Sequence, residues 1–209
     1  MWQSRDVCYV ICMAVLGIVS TALLVQMASM LSGIQGANYV FTIVMAIQTA
    51  FSLCLYEGRR WRLFAQNALL NLLIIPTHLG GPPFSLTKFH LVTTAFVIDM
   101  VFNSFYKPFR NSDKVKLWSI LGTLSFYLLM PFISLTIRSV FYSPEAVALF
   151  INVILVLSPV IIVESIAGGY LGYHIFLRLK SDKMVSAPLF LNTPVNSIDN
   201  TEAVFVDFD

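Results

Sequence analysis

Long apolar runs separated by short polar turns organise this chain. Six runs are long enough to cross a bilayer, because a spanning helix needs about 20 mostly apolar residues. We predict spans at residues 7–31, 38–56, 63–79, 86–106, 117–141 and 146–177. The pattern therefore predicts an all-α, polytopic membrane protein with six transmembrane helices. The first run is longer than the 7–15-residue apolar core of a signal peptide, so we expect it to be retained.

The turns divide into basic and nearly uncharged ones. Residues 57–62 (EGRRWR) form a basic hairpin and residues 107–116 a basic loop, whereas residues 32–37 (SGIQGA) carry no charge. Residues 80–84 (GGPPF) cannot continue a helix, because proline lacks the N–H donor and glycine weakens a helical turn. The composition then changes after residue 180. We expect a transmembrane domain at residues 1–180 and a flexible acidic cytoplasmic tail at residues 181–209.

Lysine and arginine lie almost entirely on one side of these predicted spans. Only Lys88 and Arg138 fall on the other side. The basic side carries Arg5, Arg59, Arg60, Arg62, Lys107, Arg110, Lys114, Lys116, Arg178, Lys180 and Lys183. The positive-inside rule then places both termini in the cytoplasm of a multi-pass protein of the cell membrane.

Composition supports this class and argues against several others. The 209 residues are 57% hydrophobic and 11% charged, whereas soluble domains carry about 25% charged residues. The net charge of +2 gives no basis for nucleic-acid binding. The three cysteines lie in apolar runs without ligand spacing, so we expect no metal site. Because nucleotide-binding and hydrolase motifs are absent from the sequence, we expect no cofactor and no enzymatic activity.

Two carboxylates fall inside predicted spans, where ionisable groups are costly and each suggests a function. Asp99 lies about two turns from the cytoplasmic end of the fourth span, and Glu164 lies in the sixth. Glu164, Gly168 and Gly172 share one helix face, because they are spaced four residues apart. Gly168 and Gly172 form a GxxxG motif that allows close helix contact. Each carboxylate has a structural alternative. Asp99 would pair with a neighbouring helix or reach the inner interface, and Glu164 would hydrogen-bond to the neighbouring helix.

Polar and aromatic residues collect at the outer ends of several spans. They share a predicted depth, and a small-molecule site needs such convergent polar groups around an apolar concavity. The candidate ligand-binding residues are Tyr39, His78, Phe84, Lys88, His90, Arg138, Tyr142 and Asn152. Gly80 and Gly81 would let the loop at residues 80–84 open and close. The alternative is that these side chains merely decorate the membrane interface, as aromatic belts do.

The first span carries a stripe of small residues, which favours close helix contact. Ala14, Gly17 and Thr21 begin this stripe, and Ala28 and Ser32 continue it. The contact is either with the chain's own helices or with another subunit, and the sequence leaves both open.

Three stretches resemble the substrate-binding S components of energy-coupling factor transporters. They are LCLYEGRRWRLF, LLIIPTHLGGPPFSLTKFHLVTTAFVIDMVF and VESIAGGYLGYHIFLRLK, and the resemblance covers residues 7–180. It implies six spans with both termini in the cytoplasm, a solute captured on the outer face, and energy supplied by a separate scaffold and two ATPases. The family's small-residue contact with the scaffold would fall at Ala14, Gly17 and Thr21, in a form that differs from the usual AxxxA.

We therefore expect a membrane-embedded subunit for small-solute binding and uptake. Its partners would be membrane lipid, the solute and other membrane subunits, among them an ATPase-linked scaffold, but no nucleic acid. Two alternatives stay open. One is a non-catalytic structural subunit of a larger membrane complex, and the other is a proton- or ion-coupled carrier that uses Asp99 and Glu164.

Overall fold

The computed structural model describes residues 2–26, 42–79 and 83–181. All regular structure in these ranges is helical, which confirms the predicted all-α class there. The elements are α1 (Ser4–Ser20), a π-helical turn (Thr21–Gln26), α2 (Thr42–Tyr56), α3 (Arg62–Ile74), a 3-10 turn (Leu86–Phe89), α4 (His90–Asn111), α5 (Val115–Phe141) and α6 (Pro144–Ser181). Tyr39, Gly80, Gly81, Ala28 and Ser32 lie outside the described residues, as does the predicted tail beyond Ser181.

Four of these helical segments are long and apolar enough to cross a membrane. They are Ser4–Leu23, Leu86–Asn111, Val115–Phe141 and Pro144–Ser181. The apolar helix α2 has 15 described residues and α3 has 13, both shorter than the roughly 20 that a span needs. The helices are therefore those of a membrane protein, and four of them reach spanning length.

Two helix ends differ from the sequence prediction. Helix α3 ends at Ile74 and not at residue 79, because Pro76 has no N–H to continue the helical hydrogen bonds. The loop predicted at residues 107–116 is wrong, since α4 continues to Asn111 and α5 begins at Val115. The charged residues there interrupt the apolar pattern but remain in the helices, because exposed lysine and arginine are good helix formers.

The six helices form a closed ring in which α2 also reaches the interior. Around the ring, α1 packs on α3, α3 on α4, α4 on α5 and α5 on α6. Helix α6 packs on α2, and α2 packs on α1, which closes the ring. Helix α2 additionally packs on α5 across the ring. This arrangement buries large side chains from several helices against one another, among them Leu53, Leu63, Trp118 and Phe126.

Helix α6 approaches α2 closely through two glycines. A Cβ atom added to Gly172 would lie 2.5 Å from the Ile47 carbonyl oxygen, and one added to Gly168 would overlap Ala46. Only a residue without a side chain fits such a contact. The GxxxG face of α6 is therefore turned towards the chain's own helix α2.

The small residues of α1 also contact the chain's own helices. Ala14 is fully buried in a cluster with Leu70 and Ile74 of α3. A Cβ atom on Gly17 would lie 3.1 Å from the side-chain nitrogen of Gln48 and 3.2 Å from Leu70. In this conformation the start of the stripe is covered from within the protein, so another subunit does not reach it.

The bundle has two ends with different connections. We name the end that carries the turns at residues 57–61 and 112–114 the hairpin end. The opposite end carries residues 75–89 and the turn into α6, and we name it the loop end. The polar groups at these two ends differ in how they are paired.

Candidate functional site

A carboxylate at the hairpin end is held by two arginines. Asp6 is 2% exposed, and its two oxygens lie 2.6 Å from Arg59 Nη1 and 2.9 Å from Arg62 Nη2. The backbone N–H of Gln3 also donates to this carboxylate, and the Arg62 guanidinium lies 4.5 Å from the centre of the Trp2 ring. The network ties the start of α1 to the hairpin, which is a structural role.

Asp99 is occupied by the start of a neighbouring helix. Its Oδ2 accepts a hydrogen bond of 2.7 Å from the backbone N–H of Phe64, and its Oδ1 accepts one from the Asn103 amide. Helix α3 begins at Arg62 with no hydrogen bond from its own N-cap side chain. Asp99 therefore satisfies an otherwise unpaired N–H of the first turn of α3.

Glu164 stands in a similar relation to α2. Its carboxylate lies beside the backbone N–H groups of Thr42 and Ile43, in the first described turn of that helix, while its Oε2 has no hydrogen-bond partner in the described ranges. A carboxylate at a helix N-terminus is favoured by the helix dipole. Both carboxylates predicted to lie within the membrane thus lie at helix ends, which matches the structural alternative for each.

The loop end contains a cavity of about 140 Å³ between the ring helices. Helices α2, α3, α4 and α5 and the π-helical turn after α1 contribute to its wall. The lining residues are Thr21, Thr42, Met45, Asn71, Ile74, Leu79, Lys88, His90, Leu91, Tyr127, Met130, Ser134 and Arg138. Three candidate ligand-binding residues meet here, namely Lys88, His90 and Arg138.

Lys88 is buried, and carbonyl groups surround its ammonium. Nζ donates hydrogen bonds to the carbonyl oxygens of Ile74, Ile75 and Thr77, at 3.0, 3.2 and 2.6 Å. An ammonium has three protons, so these contacts use all of them. Lys88 therefore closes the C-terminus of α3, and its protons are not available for a ligand in this conformation.

His90 turns one ring nitrogen to the backbone and the other away from it. Nδ1 lies 2.5 Å from the carbonyl oxygen of Thr87. Because a carbonyl oxygen only accepts, Nδ1 carries the proton, and Nε2 of the neutral ring has a free lone pair. Among the described residues, no hydrogen bond to Nε2 is formed. His90 can therefore accept a hydrogen bond from a molecule in the cavity.

Arg138 brings a cation without a carboxylate partner. Its Nε lies 3.4 Å from the Ser134 hydroxyl, and its guanidinium lies 4.3 and 5.6 Å from the ring centres of Phe150 and Tyr142. Within the described part of the chain, its terminal amino groups form no hydrogen bond or ion pair. The two rings hold the guanidinium by cation–π contact and leave its donors free for an anion.

Asn71 is a further polar group on the cavity wall, and the sequence analysis missed it. Its side chain is 2% exposed, and its buried Oδ1 has no hydrogen-bond partner in the described ranges. Leaving such a group unpaired costs about 1–3 kcal/mol. An unpaired buried amide beside a cavity needs an explanation, and a bound molecule that it contacts is one.

The other described candidate ligand-binding residues lie away from the cavity wall. His78, Phe84 and Asn152 are exposed, and Phe84 is 73% exposed. Tyr142 reaches the site only through its ring contact with Arg138. Thr21, predicted as a helix contact, lines the cavity and donates to the Gly17 carbonyl oxygen at 2.7 Å.

A signal for part of this wall was present in the sequence. Tyr127, Ser134 and Arg138 are polar residues spaced seven and four apart, so they share one face of α5. This signal was weaker in α3. Gln66 and Asn67 are buried there as well as Asn71, but they do not line the cavity.

Comparison of the chain with protein-family models, curated proteins and solved structures gave no match.

Proposed function

We propose that this protein is a membrane-embedded subunit that binds a small solute in the loop-end cavity for uptake. The observation that carries the proposal is the meeting of Asn71, His90 and Arg138 around one cavity, with unsatisfied hydrogen-bonding groups. A ligand site is a concavity with mostly apolar walls and a few convergent polar groups. The cavity has this character, with Met45, Ile74, Leu91 and Met130 as apolar wall residues.

The resemblance to S components supports the same function. In that mechanism six helices span the membrane with both termini in the cytoplasm, and the loop end faces outwards. Separate membrane subunits, a scaffold and two ATPases, supply the energy, in agreement with the lack of a nucleotide-binding motif in this sequence. Lipid surrounds the bundle, and the exposed apolar residues of α6, such as Leu149 and Val156, are suited to it.

The ion-coupled carrier is less well supported. A carrier of that kind needs a carboxylate that releases its contacts during transport. Asp99 instead accepts a hydrogen bond from the first turn of α3, and Glu164 lies beside the first described turn of α2, so a change at either would disturb a helix end.

Native mass spectrometry of protein purified in mild detergent and exposed to a metabolite extract tests the proposal. We expect the wild type to retain a small molecule and Leu91→Trp, which fills the cavity, to retain none. Leu149→Trp is the matched control, because Leu149 is 68% exposed on α6. It should bind like the wild type. Equal retention by all three proteins, or retention by none, would contradict the proposal.

The orientation has its own test. In a cysteine-free background, Phe84→Cys at the loop end should react with a membrane-impermeant maleimide in intact cells, and Glu57→Cys should not. Both side chains are exposed, so access from the medium decides the result. Labelling of Glu57→Cys alone would reverse the topology.

A further inference from the structure

The unpaired groups on the cavity wall restrict the chemistry of what binds there. The ligand class inferred from them rests on the function proposed above. Arg138 offers a positive charge with free N–H donors, His90 offers a lone pair, and Asn71 offers an amide that both donates and accepts. No aspartate or glutamate lines the cavity among the described residues. The wall therefore favours an anion.

The anion would meet one available cation and not two. Lys88 also lines the cavity, but its three protons are held by the carbonyl oxygens of Ile74, Ile75 and Thr77. Arg138 alone has free donors on a permanently charged group. The Lys88 ammonium keeps its positive charge beside the cavity, and the Arg138 guanidinium can pair with a carboxylate through two parallel N–H···O bonds.

Arg138 and Asn71 lie at different depths along the bundle. Because the Phe64 N–H donates to Asp99, these residues of α3 and α4 lie at about the same depth along the bundle. Asn71 is seven residues beyond Phe64, or about 10 Å towards the loop end at 1.5 Å per residue.

Helix α5 can be placed on the same scale. The Trp118 indole N–H donates to the Phe102 carbonyl oxygen at 3.2 Å. Phe102 lies about one helical turn nearer the hairpin end than Asp99. Arg138 is twenty residues beyond Trp118, so its backbone lies about 15 Å further towards the loop end than that of Asn71. Its side chain turns back by one helical turn to reach Ser134, which leaves about 10 Å between the guanidinium and the amide.

The space between these groups is small and apolar. A cavity of about 140 Å³ is close in size to an engineered cavity of about 150 Å³ that holds benzene. The side walls come from Met45, Ile74, Leu91 and Met130, which suit a flat or short apolar body.

We propose that the solute is a small monocarboxylate of about the size of one ring, with its carboxylate on Arg138 and a second hydrogen-bonding group on the Asn71 amide. Arg138 binds the carboxylate through its free amino groups, and Ser134 stands beside it. A ring with polar groups at opposite ends spans the distance between the two residues.

Equilibrium dialysis against defined probes tests the ligand class. Purified protein is dialysed against an equimolar mixture of 4-hydroxybenzoate, 4-hydroxybenzamide, 4-hydroxybenzylamine and 4-hydroxyphenyl phosphate, and bound probes are quantified by mass spectrometry. We expect the carboxylate to be enriched more than about tenfold over the amide and the amine, because loss of a charged partner in a shielded contact weakens binding at least that much. It should also be enriched over the phosphate, whose larger head group fits the small cavity less well. Arg138→Gln should lose this preference, and Arg110→Gln, at an exposed position, should keep it.

A second comparison tests the other end of the ligand. Asn71→Leu has nearly the same shape without the amide, so it should lose the preference for 4-hydroxybenzoate over benzoate while it still prefers carboxylate to amide. Equal or stronger retention of the amide, amine or phosphate by the wild type, blocked by Leu91→Trp, would overturn the ligand class and leave the binding function intact. If the wild type enriches no probe beyond the level of Leu91→Trp, both the class and the function proposed for this cavity are overturned.

Discussion

Two polar clusters, one at each end of the bundle, differ in how their members are paired. At the hairpin end, Asp6 is paired with Arg59 and Arg62, and Asp99 accepts hydrogen bonds from Phe64 and Asn103. At the loop end, Arg138 and the Asn71 amide face a cavity, and in the described chain they have no ion-pair or hydrogen-bond partner beyond the long Arg138–Ser134 contact.

Whether a buried polar group has a partner within the chain distinguishes a structural role from a binding role better than its residue type does. Buried polar groups are almost always hydrogen-bonded, and an unpaired one costs free energy. A group whose partners come from the chain itself stabilises the fold. A group left unpaired on the wall of a cavity has a cost that a ligand can remove, so its substitution should change binding more than stability.

Asp6→Ala should have the largest effect on stability. It leaves the buried Arg62 without its carboxylate, and breaking such a pair costs about 3–5 kcal/mol. Thermal and denaturant unfolding in detergent would measure this loss. Glu57→Ala is the control, because Glu57 is 37% exposed and lies 3.8 Å from Arg59. It should change the unfolding free energy by less than about 1 kcal/mol. Equal effects of the two variants would contradict a structural role for the Asp6 network.

Lys88→Met should come next, although Lys88 lies at the loop end. Its ammonium joins three carbonyl oxygens at the end of α3, and loss of these charged hydrogen bonds should cost about 3 kcal/mol. The same unfolding measurement on Lys107→Met, at an exposed position of α4, should show almost no change. A Lys88→Met protein as stable as the wild type would mean that Lys88 is available for a ligand after all.

Asp99→Asn should have a smaller effect. Asparagine can still accept the Phe64 hydrogen bond but lacks the charge, so we expect a loss of about 1 kcal/mol of unfolding free energy. Ligand affinity should stay unchanged, because Asp99 does not line the cavity. Asp113→Asn, in an exposed turn, serves as the control for both measurements. Loss of binding in Asp99→Asn, with stability unchanged, would favour the ion-coupled carrier.

Arg138→Gln should have the smallest effect on stability and a large effect on binding. Arg138 has no ion pair to lose in the described chain but does lose its cation–π contacts, so the unfolding free energy should change by less than about 1 kcal/mol. Binding of 4-hydroxybenzoate should weaken more than about tenfold. A large loss of stability without ligand would show that Arg138 is part of the fold, as Asp6 is.

The sequence predicted the helical class and the convergence of Lys88, His90 and Arg138, because apolar runs and isolated charges are local signals. It did not predict that the Lys88 protons are taken up by carbonyl oxygens, since the early end of α3 creates that contact. The sequence did not indicate Asn71, because α3 contains three buried amides, Gln66, Asn67 and Asn71, and the pattern does not show which of them lies on the cavity wall. The α2 contact of Gly168 and Gly172 also depends on ring order, which helix pattern alone does not determine.

A crystal or electron-microscopy structure of the protein saturated with 4-hydroxybenzoate tests most directly whether the unpaired groups form the binding site. We predict the ring within the loop-end cavity, its carboxylate within hydrogen-bonding distance of Arg138 and its hydroxyl within hydrogen-bonding distance of the Asn71 amide. The contacts of Asp6 and Asp99 should be unchanged. Density for the ring at the hairpin end or on the lipid-facing surface, with Arg138 and Asn71 left without contact to it, would contradict the division of the bundle into a structural end and a binding end.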